Sequence, residues 1–155
     1  MKKEQLKIKG TGVRCKSAEH SSYNQVPDAI FHYLELGLIS GNELAIWIKL
    51  LQFDNDKYGY AYPNIEQLML YCNLGKSTVI NGIDSLCRVG LLAKEKQQRL
   101  FKKNVYYVYQ PLSKEQLYSQ VSSKLVEEFT SNREDLYKKY QETYLYGIKE
   151  PEKNL

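Results

Sequence analysis

Hydrophobic residues recur at helical spacing through most of the chain, and polar residues with capping roles separate them into helices. Residues 26–37 form a first short segment of this kind, which ends at a glycine. Ser40 and Glu43 then have the spacing of a capping box, in which each side chain bonds the backbone N–H of the other residue. The residues that follow, 44–53, are apolar on almost every side of a helix. A helix of this composition is typical of the buried centre of a domain.

Two further helices are predicted on either side of a short turn. Asn64 and Gln67 repeat the capping-box spacing and predict a third helix, which ends at the turn 73–75, where Gly75 supplies backbone freedom. The fourth helix spans 76–89, and its apolar stripe consists of Val79, Ile83 and Leu86. Its opposite side carries the residues Lys76, Ser77, Thr78, Ile80, Asn81, Asp84 and Arg88. Between the two lies Gly82, whose missing side chain predicts close approach of the preceding helix.

Two strands and two amphipathic helices complete the pattern. Residues 91–96 and 104–109 predict a β-hairpin with a long loop. Ser113 and Gln116 form a third capping box, which opens a helix whose apolar stripe reaches Phe129. A second helix is predicted from near Asn132 onward. The expected fold class is therefore mainly α, with a small β-hairpin and carboxy-terminal helices.

The order helix, short turn, helix and hairpin is that of a winged helix-turn-helix. The stretch "YPNIEQLMLYCNLGKSTVINGIDSLCRVGLLAKE" resembles the winged-helix segments of GntR-type and MarR-type regulators. It is also similar to the amino-terminal domains of DnaD-type phage and plasmid replication proteins, which the preceding "VPDAIFHYLELGLISGNELAIWIKLL" favours. The resemblance covers roughly residues 43–109. It implies that helix 76–89 enters the major groove of DNA and that the hairpin, the wing, contacts the backbone or the minor groove.

The resemblance assigns the candidate DNA contacts to the start of this helix. They are Lys76, Ser77, Thr78 and Asn81. Lys76 would reach a phosphate or a guanine, and Asn81 an adenine edge. The sequence departs from the family pattern at Gly75, where many relatives have an N-cap serine, and at Ile80, where GntR-type regulators often have arginine. The base sequence that the helix reads is therefore not predicted.

Positive charge is concentrated in two segments of the chain. The total is only +4, but residues 1–16 carry +5 and residues 94–103 carry +4, which leaves −5 for the remainder. The second segment is the loop of the predicted hairpin, and its basic residues are Lys94, Lys96, Arg99, Lys102 and Lys103. Each can neutralise a DNA phosphate and steepen the salt dependence of binding by about one logarithmic unit. The first segment is either a flexible arm for the minor groove or an extra edge strand. Two solvated lysine-rich loops are the alternative interpretation.

Composition argues against several other classes of protein. The 155 residues are 43% hydrophobic and 26% charged, as in an ordinary soluble domain, and we expect a cytoplasmic protein with no membrane span. Cys15, Cys72 and Cys87 have no C-x-x-C spacing, so we expect reduced thiols rather than a zinc site. His20 and His32 lie outside any nucleophile or metal motif, and "NLGKST" lacks the first glycine of a phosphate-binding loop. No cofactor and no catalytic activity are expected.

These patterns divide the chain into a basic amino-terminal arm (1–25), a winged helix-turn-helix domain (26–112) and a helical extension (113–155). The apolar stripes of the extension predict homodimerisation, or docking of a partner from transcription or replication. The expected function is sequence-specific binding of double-stranded DNA, as a transcription regulator of a phage, plasmid or bacterial operon. Recognition of origin DNA by a replication protein is the alternative. A protein-interaction adaptor that binds no DNA is the third hypothesis.

Overall fold

The computed structural model describes residues 6–15, 25–55, 57–97 and 103–143. Its helices and strands are, in chain order, α1 Ile30–Glu35, α2 Gly41–Phe53, α3 Ile65–Cys72, α4 Lys76–Arg88, β1 Leu92–Gln97, β2 Lys103–Val108, α5 Lys114–Gln120 and α6 Ser123–Thr143. The helices and the antiparallel hairpin β1–β2 confirm the predicted fold class. The chain divides into two compact units, with the boundary between residues 121 and 122. Within the described residues, no helix is both long enough and apolar enough to cross a membrane.

Side-chain caps set the starts of three helices. Before α2, the Ser40 hydroxyl accepts a hydrogen bond from the Glu43 N–H at 3.3 Å, and the Glu43 carboxylate accepts one from the Ser40 N–H at 2.6 Å. The same reciprocal arrangement opens α3 and α5, with the pairs Asn64 and Gln67, and Ser113 and Gln116. All three capping boxes predicted from the sequence are therefore confirmed.

The turn between α3 and α4 depends on an asparagine rather than on the glycine. Asn73 has φ 53° and ψ 52°, in the left-handed region that asparagine tolerates better than most residues. The Leu74 N–H then bonds the Met69 carbonyl at 3.1 Å and closes the end of α3. Gly75 has an ordinary φ of −73° and is the N-cap of α4. The prediction that the glycine supplies the unusual backbone of this turn is wrong.

The core of the first unit forms where α2, α4 and the hairpin meet. Trp47 of α2 is fully buried, and its indole N–H donates to the Leu91 carbonyl at 3.2 Å. The stripe predicted for α4 is buried, with the residues Val79, Ile83 and Leu86. At Gly82 a Cβ would lie 2.7 Å from Cδ1 of Ile46. The helix that approaches this glycine is therefore α2, and not α3, which immediately precedes it.

Residues 6–15 lie along the edge of the first unit. Ile8 is buried, and an antiparallel bridge joins Arg14 to Tyr109 just beyond β2. The Arg14 guanidinium pairs with the buried carboxylate of Asp54, which follows α2. The described part of the amino-terminal segment is thus attached beside β2 through an isolated bridge, and it is not a strand of the sheet. The choice between a minor-groove arm and an edge strand stays open.

Hydrogen bonds between distant residues join early and late segments of the first unit at two places. The Lys9 N–H donates to the Gln120 side-chain oxygen at 2.8 Å, and the Gln120 amide donates back to the Lys9 carbonyl at 3.1 Å. These residues are 111 positions apart in the chain. The hydroxyl of Tyr33 accepts from the Leu112 N–H at 2.9 Å and so joins α1 to the segment before α5.

Helix α6 is continuous across the position where the sequence predicted a break. The helical conformation is interrupted instead at Val121, which follows α5 and has an extended backbone. The Ser122 hydroxyl accepts from the Leu125 N–H at 3.4 Å and supports the start of α6. The break expected near Asn132 is therefore wrong, since α6 runs without interruption from Ser123 to Thr143. The helix boundary lies at Val121 and Ser122 instead.

Gly10 and Gly90 bring two backbone segments into close contact. A Cβ on Gly10 would collide with the carbonyl oxygen of Gly90. Gly90 itself has φ +78°, in the region that favours glycine. Backbone atoms cannot swing aside as the end of a side chain can, so this approach requires glycine on both sides.

We expect Gly10→Ala to lower the free energy of unfolding by about 1–3 kcal/mol, the usual range for forced overpacking. Urea denaturation of the whole chain measures this change. Gly41→Ala is the matched control, because a Cβ at that position meets nothing within 4 Å and alanine is the better helix former. Equal stability of the Gly10 variant and the unaltered chain would contradict the packing described.

Candidate nucleic-acid interface

Helix α4 presents its polar start to solvent. Lys76, Ser77 and Asn81 are exposed, whereas Thr78 is half-buried. Ile80 lies among them with 39% of its surface exposed. Since the stripe on the other side of α4 is buried, the helix is held with this polar face outward. The structure therefore places three of the four predicted reading residues fully on the surface.

The wing carries three of the predicted basic residues on its two strands. Lys94 and Lys96 of β1 and Lys103 of β2 are exposed. The two strands pair in a register that runs from Leu92 with Val108 to Gln97 with Lys103. Arg99 and Lys102 were also predicted as phosphate contacts, and they fall in 98–102, outside the described residues.

One wing lysine, Lys94, bonds a carboxylate of α4. The ammonium of Lys94 lies 2.8 Å from a carboxylate oxygen of Asp84, and this hydrogen bond raises the pKa of Lys94. Both side chains are about half exposed, so solvent screens the pair and its contribution to stability is small. Its main effect is on the surface charge. The negative charge of Asp84 offsets the positive charge of Lys94, which the sequence predicted to contact a phosphate.

The remaining described lysines of the predicted site meet at one groove, which we name the lysine groove. It has a volume of about 840 Å³ and lies between the starts of α3 and α4 and the wing. Its lining includes three lysines and one glutamate, namely Lys76, Lys96, Lys103 and Glu66. The groove therefore carries net positive charge from residues that are far apart in the sequence.

The start of α3 forms one wall of the lysine groove. Asn64 and Gln67 line it and bond each other's backbone N–H at 2.8 Å, which holds this first turn in place. The positive end of the α3 dipole thus lies beside the three lysines. Sequence reasoning recognised the capping box but did not assign it to the site, because only the folded chain brings it next to the wing.

Two further lining residues were missed by sequence reasoning. Asn104 on β2 and Tyr62 before α3 both border the lysine groove. Asn104 lies opposite Lys96 in the hairpin register. Strand alternation could have placed Asn104 on the same face as Lys96, but no sequence signal connects Tyr62 to the wing.

The cysteines are free thiols, as predicted. Burial raises the pKa of Cys15 to about 12, and the neighbouring Asp54 carboxylate acts in the same direction. Burial also raises the pKa of Cys87 on α4. Within residues 6–15, 25–55, 57–97 and 103–143, no group of three or more His, Cys, Asp or Glu side chains is arranged to hold a metal ion.

Comparison with known proteins gives a family match over part of the chain. Residues 36–92 match the family model described as "Helix-turn-helix domain". The search of curated proteins finds no match. The chain is similar to a solved "N-Terminal domain of DNA binding protein", with 15% identity and a TM-score of 0.46 over 77% of this chain and 98% of that one.

Two other solved structures are similar. The "Structure of Rep-DNA complex" shows 17% identity and a TM-score of 0.46, over 74% of this chain and 89% of that one. A "Possible transcriptional regulator from Methanosarcina mazei Go1" shows 16% identity and a TM-score of 0.37, over 86% of this chain and 100% of that one.

The family match ends at the first residue of β1, so it covers the helices and leaves the hairpin to be assigned from the structure. Helices α3 and α4 are joined by a three-residue turn, and the hairpin follows α4 directly. The chain therefore contains a helix-turn-helix domain, in which α3 and α4 are the paired helices and β1–β2 is the wing.

Proposed function

We propose that the chain binds double-stranded DNA in a sequence-specific manner. The observation that carries this proposal is the lysine groove, where the start of α4 and the wing converge. Duplex DNA presents closely spaced phosphates beside base edges that a helix can read. A surface with lysines on two separate elements and short polar side chains on an exposed helix suits both features.

Helix α4 supplies the sequence-specific contacts in this proposal. Its first turn enters the major groove, which is wide enough for a helix. Asn81 is suited to bond an adenine, and Lys76 a guanine or a phosphate. Ser77 adds a short hydroxyl beside them, while the half-buried Thr78 contributes mainly to the packing of the helix.

The wing supplies contacts that do not depend on base sequence. Lys96 and Lys103 border the lysine groove and would each neutralise a phosphate. We assign Arg99 and Lys102 to phosphate contact as well, because they lie between β1 and β2 in the sequence. Lys94 has a smaller part, because Asp84 already accepts a hydrogen bond from it.

Helix α6 joins two copies of the chain in the proposed assembly. Val126, Phe129, Leu136 and Tyr140 recur at three, seven and four residues, the spacing of a helical seam, and Leu136 is 46% exposed. Glu127 and Glu128 lie in the first half of α6 and Lys138 and Lys139 near its end. The other charged residues of α6 are of both signs, namely Lys124, Arg133, Glu134, Asp135 and Glu142. In an antiparallel pair centred on this seam, the two glutamates of one copy would face the two lysines of the other, so a second copy is the proposed occupant of this surface.

We expect the purified chain to enrich a defined motif when bound duplexes are selected from a random pool at low salt. The enrichment should persist, with weaker total binding, at higher salt. A motif located in a promoter would assign the protein to transcription regulation, and one located in an origin to replication initiation. Absence of duplex binding at low salt would contradict the proposal and favour the adaptor hypothesis.

Two sets of variants should separate reading from phosphate contact. Lys96→Ala with Lys103→Ala should weaken binding to every duplex and reduce the slope of log K against log salt by about 2. Asn81→Ala should cost about 1–3 kcal/mol on the selected motif and little on unrelated duplexes. Fluorescence anisotropy across several salt concentrations measures both effects.

Lys114→Ala is the matched control for these variants. Lys114 is also an exposed lysine, but it belongs to α5 and does not line the lysine groove. An equal loss of affinity in the control, or an equal loss on all duplexes for every variant, would refute the division between reading helix and wing.

Sedimentation velocity should show a dimer of the 18.1 kDa chain. Phe129→Asp with Leu136→Asp places charge in the proposed seam and should leave monomers, whereas Ser131→Asp on another side of α6 should not. A wild-type chain that sediments as a monomer would rule out this assembly while leaving the DNA-binding proposal intact.

A further inference from the structure

Four tyrosines form a connected cluster on one side of the wing sheet. Tyr58, Tyr60 and Tyr62 alternate along the segment before α3, and Ala61 pairs with Tyr106 of β2 in an antiparallel bridge. This pairing sets Tyr60 opposite Tyr107 and gives them the same face of the sheet. We call Tyr58, Tyr60, Tyr62 and Tyr107 the tyrosine cluster.

The rings of the tyrosine cluster touch one another in sequence. Tyr58 and Tyr60 are stacked, with centroids 5.9 Å apart and planes at 20°. Tyr62 meets both of them edge-on at 6.2 Å, and Tyr107 meets Tyr60 in the same way at 6.2 Å. Such ring contacts hold the side chains in fixed orientations.

The tyrosine cluster is a surface feature and not part of the core. Tyr58 is 46% exposed and Tyr62 is 47% exposed, whereas Tyr106 on the other face of the sheet is buried. The hydroxyl of Tyr107 donates to a Glu95 carboxylate oxygen at 3.4 Å. The cluster therefore presents flat aromatic surface to solvent at fixed positions.

Positive charge borders the tyrosine cluster on two sides. The Lys57 ammonium lies 5.7 Å from the centroid of the Tyr58 ring. Tyr62 also lines the lysine groove, together with Lys96 and Lys103. The aromatic surface is therefore continuous with the surface assigned to DNA phosphates.

We propose that the tyrosine cluster binds unpaired bases of single-stranded nucleic acid. Proteins that bind single strands combine a positively charged track with aromatic side chains on which bases stack, and both are present here. Each nucleotide supplies an anionic phosphate and a flat base, which match the lysines and the tyrosines. The stacked bases of an intact duplex cannot reach these rings, so the ligand is a strand that leaves the duplex. This inference rests on the proposed function for its duplex part only.

The test uses anisotropy titrations of the full chain with three labelled probes. They are a blunt duplex, the same duplex with a dT extension of about ten nucleotides, and the dT strand alone. We expect the extended duplex to bind more tightly than the blunt one. Tyr58→Ala with Tyr62→Ala should reduce the ratio of these two affinities by about fivefold or more, and weaken binding of the dT strand to a similar degree.

Two control variants distinguish base stacking from a general effect. Tyr58→Phe with Tyr62→Phe keeps the rings and should retain the preference for the extension. Tyr71→Ala removes an exposed tyrosine of α3, 54% exposed, which contacts Phe53 and not the tyrosine cluster. An equal reduction in the Tyr71 variant would overturn the proposal.

The three probes separate failure of this inference from failure of the proposed function. Binding of blunt duplex with no gain from the extension and no binding of dT would overturn the role of the tyrosine cluster and leave duplex recognition standing. Binding of dT through the tyrosines without binding of blunt duplex would support the cluster and contradict duplex recognition.

Discussion

Helix α4 can hold its polar start outward only because its other side packs tightly on α2. Gly82 marks the closest approach, since a side chain there would meet Ile46 in the middle of the core. A glycine inside a helix costs about 1 kcal/mol relative to alanine, and the burial of the apolar stripe of α4 offsets that cost. The outward direction of Lys76 and Asn81 follows from this packing. A residue without a side chain thus determines where the candidate reading face points.

The contact between Lys94 and Asp84 gives the interface a second constraint. It joins the wing to the face of α4 that would approach DNA, and it sets one positive charge beside one negative charge at the surface. The wing lysines that line the lysine groove are Lys96 and Lys103, whereas the pair Lys94 and Asp84 lies outside its lining. In the proposed complex a phosphate would therefore be attracted to Lys96, Lys103 and the start of α4, rather than to Lys94, beside which Asp84 would repel it.

Local patterns predicted much of the fold, whereas the composition of the site depends on contacts between distant residues. The capping boxes at Ser40 and Asn64 were predictable because each is closed by residues three positions apart. The break before α6 was missed because Ser122 is equally plausible as a helix interior or as a cap. The sequence spacing of Lys94 and Asp84 does not predict that they pair. Their contact exists only after β1 has packed against α4. For the same reason the sequence predicted all the wing lysines as phosphate contacts, although Lys94 pairs with Asp84 of α4.

The paired hydrogen bonds between Lys9 and Gln120 bear on the order in which the molecule assembles. They close a loop of 111 positions, and contacts between residues so far apart form slowly because the chain between them must first lose its freedom. The helices α2, α3 and α4 need only short loops to find one another. During synthesis the segment around Lys9 is made before all of them, yet its two bonds to Gln120 form only after α5 has been translated. These two bonds are therefore among the last contacts of the first unit to form.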